Sequence, residues 1–183
     1  MDIWTALAKY SYFETERLLL RPLSYFDSED FYEISNDFEN LSFVFPACLS
    51  KNESDYLFSH SFLKSPLGIW AITEKSSQKM IGIIRLENLD FKKACSELGY
   101  VLNSAYRNQG FMTEAVKNIV FLAFKELGLK NLVIITHLEN NASQQVAVKS
   151  GFKLVSQFKG SDRYTHQMKQ YLKYQMKIGY HNE

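Results

Sequence analysis

Apolar residues recur along this chain with two periods, and the switches between them lay out its elements. From Gly110 onward Val116, Ile119, Val120, Ala123 and Leu127 form an i, i+3, i+4, i+7 stripe. That stripe predicts an amphipathic helix, closed by Gly128 as its C′ glycine. Just before it, Ser96 to Asn103 alternates Leu98, Tyr100 and Leu102 against Glu97, Gly99 and Val101, which is the period of a strand. Just after it, Leu132-Val133-Ile134-Ile135 is a continuous apolar run, expected of a strand buried on both faces. Strand, helix and strand in that order predict a parallel, right-handed crossover.

The first half of the chain reads differently. Arg17 to Arg21 is a strand stopped by Pro22, and Asp27 is placed to cap a helix running to about Phe38. The apolar, aromatic stretch Leu41 to Leu49 contains Pro46 and is expected to be a loop, followed by a helix over Glu53 to Leu63. Gly68 to Thr73 and Met80 to Leu86, separated by the polar Glu74 to Lys79, form a hairpin signal. A helix over Asn141 to Ser150 ends at Gly151, and Phe152 to Phe158 and Gln170 to Ile178 are the last two strands. Residues 1–13 read as a short helix or an arm. With no internal repeat and no flexible linker, residues 1–183 are expected to form one domain around a mixed sheet with helices on its faces.

Composition narrows the function. Hydrophobic content of 46% and charged content of 22% suit a soluble globular protein. A net charge of +1 argues against nucleic acid as the main partner. The 14 Phe and 11 Tyr imply a bulky core or an aromatic-lined cleft. Cys48 and Cys95 lie far apart with no C-x-x-C, which fits a reducing compartment. His60, His137, His166 and His181 show no ligand spacing, so no metal site is expected. The chain starts without a basic, apolar leader, and no apolar run approaches the ~20 residues that span a bilayer. The cytoplasm is therefore the expected compartment, with no membrane partner.

The most informative stretch is Tyr106-Arg107-Asn108-Gln109-Gly110-Phe111-Met112-Thr113-Glu114-Ala115, which joins the strand to the helix. Such a turn leaves backbone N–H groups facing outward, with the positive end of the helix dipole behind them, and so suits a phosphate or diphosphate. Gly110 has no Cβ to hold a ligand off, and Arg107 adds a guanidinium fork matched to phosphate oxygens. The chain has no G-x-x-x-x-G-K-[ST] and no G-x-G-x-x-G, so neither a P-loop nucleotide nor a Rossmann dinucleotide is indicated. The plain alternative is a strand-to-helix turn with a surface arginine.

Three segments in order carry a family resemblance. Thr15-Glu16-Arg17-Leu18-Leu19-Leu20-Arg21-Pro22-Leu23 resembles the opening strand of the GNAT superfamily of acetyl-CoA-dependent N-acetyltransferases, in particular the ribosomal-protein N-terminal (RimJ/RimL-type) branch. Arg107-x-x-Gly110-x-Met112 is similar to that superfamily's diphosphate motif, with Met112 where Gly or Ala is usual. Asn140-x-x-Ser143, leading to Lys149-x-Gly151-Phe152, resembles the segment along the pantetheine arm. The resemblance implies an α+β fold: a mostly antiparallel, twisted sheet of about seven strands, splayed at one parallel pair that holds coenzyme A. It implies acetyl-CoA as co-substrate. The coenzyme would be held by Val101, Leu102, Arg107, Asn108, Gln109, Gly110, Phe111, Met112, Thr113, Asn140 and Ser143.

The reaction so implied is attack of a primary amine on an acetyl thioester. Glu97, on the strand facing the thioester, is the candidate general base, or else a solvent-facing or salt-bridged glutamate. A backbone N–H near Val101 is the candidate oxyanion donor. Ser143 is the candidate acid toward sulfur, or a helix-start hydroxyl bonded to backbone; Tyr164 is an alternative acid. Asn140 either holds pantetheine amides or caps its helix. Glu114 is read as a first-turn acid that serves the helix dipole. Phe43, Phe45 and Trp70 are expected at the acceptor cleft or in the core. The acceptor would be a protein N-terminus or a small amine, and the enzyme a monomer or homodimer. A non-catalytic acyl-CoA sensor and a purely structural domain are the competing classes.

Overall fold

The computed structural model describes residues 2–179; His181 lies outside them. One sheet organises the chain: β1 (Phe13–Glu14), β2 (Leu18–Arg21), β3 (Ile69–Glu74), β4 (Met80–Asp90), β5 (Cys95–Leu102), β6 (Asn131–His137), β7 (Lys153–Ser161) and β8 (Met168–Lys177). Their spatial order is β1-β2-β3-β4-β5-β6-β8-β7. The eighth strand beyond the expected set is β1, a two-residue ribbon paired to β2, too short to carry a period. All neighbours are antiparallel except β5 and β6. The crossover read from the periodicity is therefore present.

The two faces of the sheet are covered by different helices. Helices α1 (Ile3–Lys9) and α4 (Phe111–Lys125) bury Ala6, Leu7, Ala115, Val116, Ile119 and Ala123 against Leu18, Leu20, Trp70, Ile84 and Leu98. Helices α2 (Ser28–Ser35) and α3 (Lys51–Phe58) cover the other face, where Phe31 stacks on Phe58 at 4.7 Å and meets Phe62 at 5.4 Å. Burying each such ring stabilises the fold by about 1.5–3 kcal/mol. Helix α5 (Asn141–Lys149) is anchored by Ala147. No helix of the described residues is long and apolar enough to cross a membrane.

Three local expectations change. Helix α2 is shorter than the stretch to Phe38, and Asp27 takes its N-cap position without a side-chain cap bond to it. Instead the Asp27 carboxylate accepts from Ser24 N at 2.9 Å and pairs with Arg21 at 2.6 Å. The expected helix over Glu53 to Leu63 is α3 followed by a π-helical turn, Ser59–Leu63. Strand β6 is not buried on both faces: Leu132, Ile134 and Thr136 are buried, whereas Val133 and Ile135 are half-exposed. The reason is the cleft described next, which uncovers one face of that strand.

Candidate active site

Strands β5 and β6 stay paired only over Cys95↔Asn131, Ser96↔Leu132 and Glu97↔Val133. Beyond Glu97 they diverge, although β5 continues to Leu102 and β6 to His137. This splay opens a V into a cleft of about 560 Å³ lined from both strands, from Asn140 and Ser143, and from the Phe43 loop. The register settles which amides face the V. Asn103 N donates to Ile81 O at 2.8 Å, and that bonded pair sets the alternation along β4 and β5. Val101 therefore spends its N–H on Ile83, while Tyr100 and Leu102 turn theirs toward the V. The amides near Val101 that face the V are therefore those of its two neighbours.

The turn ahead of α4 is built by backbone conformation. Asn103 opens a 3-10 turn, Ser104–Tyr106, by accepting from Ala105 N at 3.0 Å. Asn108 and Gly110 then take φ of 61° and 82°. Gly110 is the N-cap of α4 and brings no side-chain cap, so the first-turn amides of the helix keep their outward donors. Asn108 and Gln109 are exposed and Thr113 is half-exposed. Phe111 and Met112 turn their side chains into the core, Met112 only 5% exposed. A large residue where Gly or Ala is usual thus leaves the ligand side of the turn clear.

Arg107 departs from expectation. Its guanidinium donates to Asn40 Oδ1 and to Asn40 O, both at 2.9 Å, and ties the turn to the loop after α2. Asn40 is held by Asp37, which also accepts from Ser104 Oγ at 2.6 Å. The cation beside the turn is instead Arg17, which donates to Gln109 O at 2.8 Å and to Glu114 at 2.7 Å and lies over the Phe111 ring at 4.4 Å. Glu114 also accepts from Thr15 Oγ1 and Arg17 N, and these bonds outweigh burial to hold its carboxyl below the usual range. It is a tether as well as a first-turn acid.

At the V itself, Asn140 Oδ1 accepts from Ser143 N at 3.1 Å, so it caps α5. Ser143 Oγ lies 2.9 Å from Tyr100 Oη, a bond that crosses from β5 to α5. Burial pushes the Tyr100 hydroxyl up to about 12, which keeps it protonated and able to donate. In the sequence Tyr100 shows only as one position of the strand's alternation; its hydroxyl contact depends on where the crossover returns the chain. Glu97 lines the cleft and accepts from Asn88 Nδ2 at 3.0 Å. Burial, and secondarily the Glu87 carboxylate opposite, raise its pKa.

The acceptor side holds Phe43, 42% exposed and stacked on His137 at 4.9 Å, with Tyr171 and Phe158 continuing the ring wall. Phe45 is buried at the cleft floor. Trp70 is not there: it is fully buried on the α1–α4 face, donating Nε1–H to Tyr10 O at 3.0 Å. Strand alternation puts it on the opposite side of the sheet from Val101. Tyr164 does line the cleft, on the turn between β7 and β8.

The cleft is thus a sheet splayed at a parallel pair, with uncapped helix amides following β5 and a half-buried carboxylate, Glu97, near the paired end. A family model described as an acetyltransferase (GNAT) domain matches residues 17–153, and the chain belongs to that family. It is 28% identical over 149 residues to the uncharacterized N-acetyltransferase YoaA of Bacillus subtilis (strain 168), covering 76% of this chain and 81% of that protein. It is also 28% identical over 76 residues, 42% of each chain, to the ribosomal-protein-serine acetyltransferase of Escherichia coli (strain K12). The solved RimL ribosomal L7/L12 alpha-N-protein acetyltransferase, in complex with coenzyme A, superposes with a TM-score of 0.77 at 17% identity. That match covers 90% of this chain and 96% of RimL, and shares the fold.

Proposed function

We propose that this protein transfers an acetyl group from acetyl-CoA to a primary amine, either a protein N-terminus or a small molecule. The observation that carries this reading is the V between β5 and β6, with the uncapped start of α4 at its head. The turn suits a diphosphate, because Gly110 brings no Cβ toward it and the helix dipole is positive there. The amides of Tyr100 and Leu102 face the position of the thioester oxygen and would stabilise negative charge on it. Glu97, its pKa raised by burial, takes the proton that the amine loses as the N–C bond forms. The C–S bond breaks, and Ser143 supplies the proton that the departing sulfur gains. Either hydroxyl of the Tyr100–Ser143 pair can donate, and when Tyr100 does, the serine's own hydrogen is free for the cleft.

Free-thiol release from acetyl-CoA in the presence of an amine panel tests this reading, with calorimetric titration of acetyl-CoA beside it. Saturable binding with amine-dependent thiol release is expected. Binding without turnover would instead favour a sensor of acyl-CoA, and no binding would end both.

A further inference from the structure

The end of the cleft away from the α4 turn carries a charge cluster that acetyl transfer does not by itself require. The β4–β5 register sets Arg85 opposite Gly99 and Glu87 opposite Glu97, four positions on one face of the sheet. Two carboxylates directly opposite each other repel, so the arrangement needs compensation. Gly99 makes the room for it: a Cβ there would lie 2.9 Å from Glu87 Oε2 and 3.5 Å from Arg85 Nε. Glu87 pairs with Arg85 on its own strand and, at 3.5 Å, with Arg163 from the β7–β8 turn. That turn is fixed by Asp162, which accepts from the amides of Tyr164 and Thr165 at 3.0 and 2.7 Å. Arg163 therefore reaches over the cleft from a rigid base.

The charges do not balance once the base has acted. Two guanidiniums pair with Glu87, while Glu97, among the described residues, takes its hydrogen bond from the Asn88 amide and feels both arginines through space. When Glu97 takes up a proton, two cations face one carboxylate. The Arg163 contact is long for a hydrogen bond, and its side chain is 57% exposed, so most of its five donors are open to a ligand. We propose that Arg163, backed by Arg85, is a carboxylate-recognition site, and that the acceptor is an amine carrying a carboxylate a few bonds away. The ammonium then arrives beside Glu97 and the carboxylate seats on Arg163. This rests on the acetyl-transfer reading and narrows its acceptor. A polyamine would set a second cation against both arginines and is selected against. The same chemistry is offered by a free amino acid and by the acidic first residue of a polypeptide.

The test is thiol release with the full chain and acetyl-CoA, over free amino acids, their amides, spermidine, and peptides beginning with Asp or with Ser. The carboxylate-bearing member of at least one matched pair, acid over amide or Asp over Ser, is expected to lead in kcat/KM by on the order of ten-fold, the scale of one charge-assisted hydrogen bond. The pair that shows the preference identifies the source. Arg163→Ala is expected to bring that ratio to near one, and Arg163→Lys to restore part of it, with KM for acetyl-CoA unmoved. Turnover with no preference in either pair, spermidine as the best acceptor, or an unchanged ratio in Arg163→Ala overturns the proposal while leaving acetyl transfer standing. Silence across the whole panel overturns both.

Discussion

The turn ahead of α4 follows one end of β5, the charged floor around Glu87 and Glu97 lies toward the other, and the two are made of different materials. At the turn, main-chain groups do the work: two residues of positive φ and an uncapped helix expose amides, while the nearby side chains are committed elsewhere. Arg107 is tied to Asn40, Arg17 to Glu114, and Phe111 and Met112 to the core. At the floor, side chains from β4, β5 and the β7–β8 turn converge, and one carboxylate is held at a cost in desolvation. The first end is stable as built; the second keeps part of its polar capacity unspent, as a reacting site must.

The largest test of this contrast is Gly110→Val. A β-branched residue at φ 82° is strained by about 1–3 kcal/mol, and its Cβ would press toward Arg17 Nη2, 3.3 Å away. Coenzyme affinity should fall by on the order of 100-fold, the penalty typical of a site displaced by about 1 Å. Titration calorimetry checks this, and near-normal binding would break the claim that backbone shape makes the turn.

Next comes Glu97→Gln, for which kcat should drop by about 10²–10⁴. The sign for stability runs the other way. A carboxyl whose pKa burial has raised opposes folding above that value, and the cost disappears as pH falls through it. The neutral glutamine should therefore match or exceed the parent melting temperature at pH 8. The acidic limb of the rate profile, displaced above the usual carboxylate range, should vanish. A lower melting temperature with unchanged kcat would make Glu97 structural.

Tyr100→Phe should reduce kcat by about five- to ten-fold, the worth of one net hydrogen bond. In a Ser143→Ala background it should cost much less, because the two act through one contact. Additive losses would separate them. The smallest functional effect belongs to Arg107→Ala: about 1–2 kcal/mol of stability from the Asn40 bonds, with coenzyme affinity changed less than about five-fold. A collapse in affinity would show that the guanidinium leaves Asn40 for the ligand.

Much of the fold was legible because its signals are local. The stripe from Val116 to Ala123 reports which side of its helix is dry, and the structure keeps it; on β5 only Leu98 of the alternating row is buried, while Tyr100 and Leu102 are half-buried and Val101 is buried on the other face. The sequence leaves Trp70 open between cleft and core and puts Ile135 in a strand buried on both faces, for a related reason. Periodicity says that a residue alternates, but not which face its row joins, nor whether that face is covered. The tryptophan of β3 lies on the α1–α4 side of the sheet, and an isoleucine in an apolar run borders an open cleft.

The sequence by itself determined the crossover, the glycine turn and the family, since a positive-φ glycine and a hydrophobic period are properties of a few consecutive residues. Only the tertiary structure decided that Arg107 holds a loop, that Tyr100 meets Ser143, and that Arg163 reaches Glu87. Those contacts join residues 43 to 76 positions apart in the chain. Strand register and the return point of a crossover set them, and both emerge only when the whole sheet has closed its core.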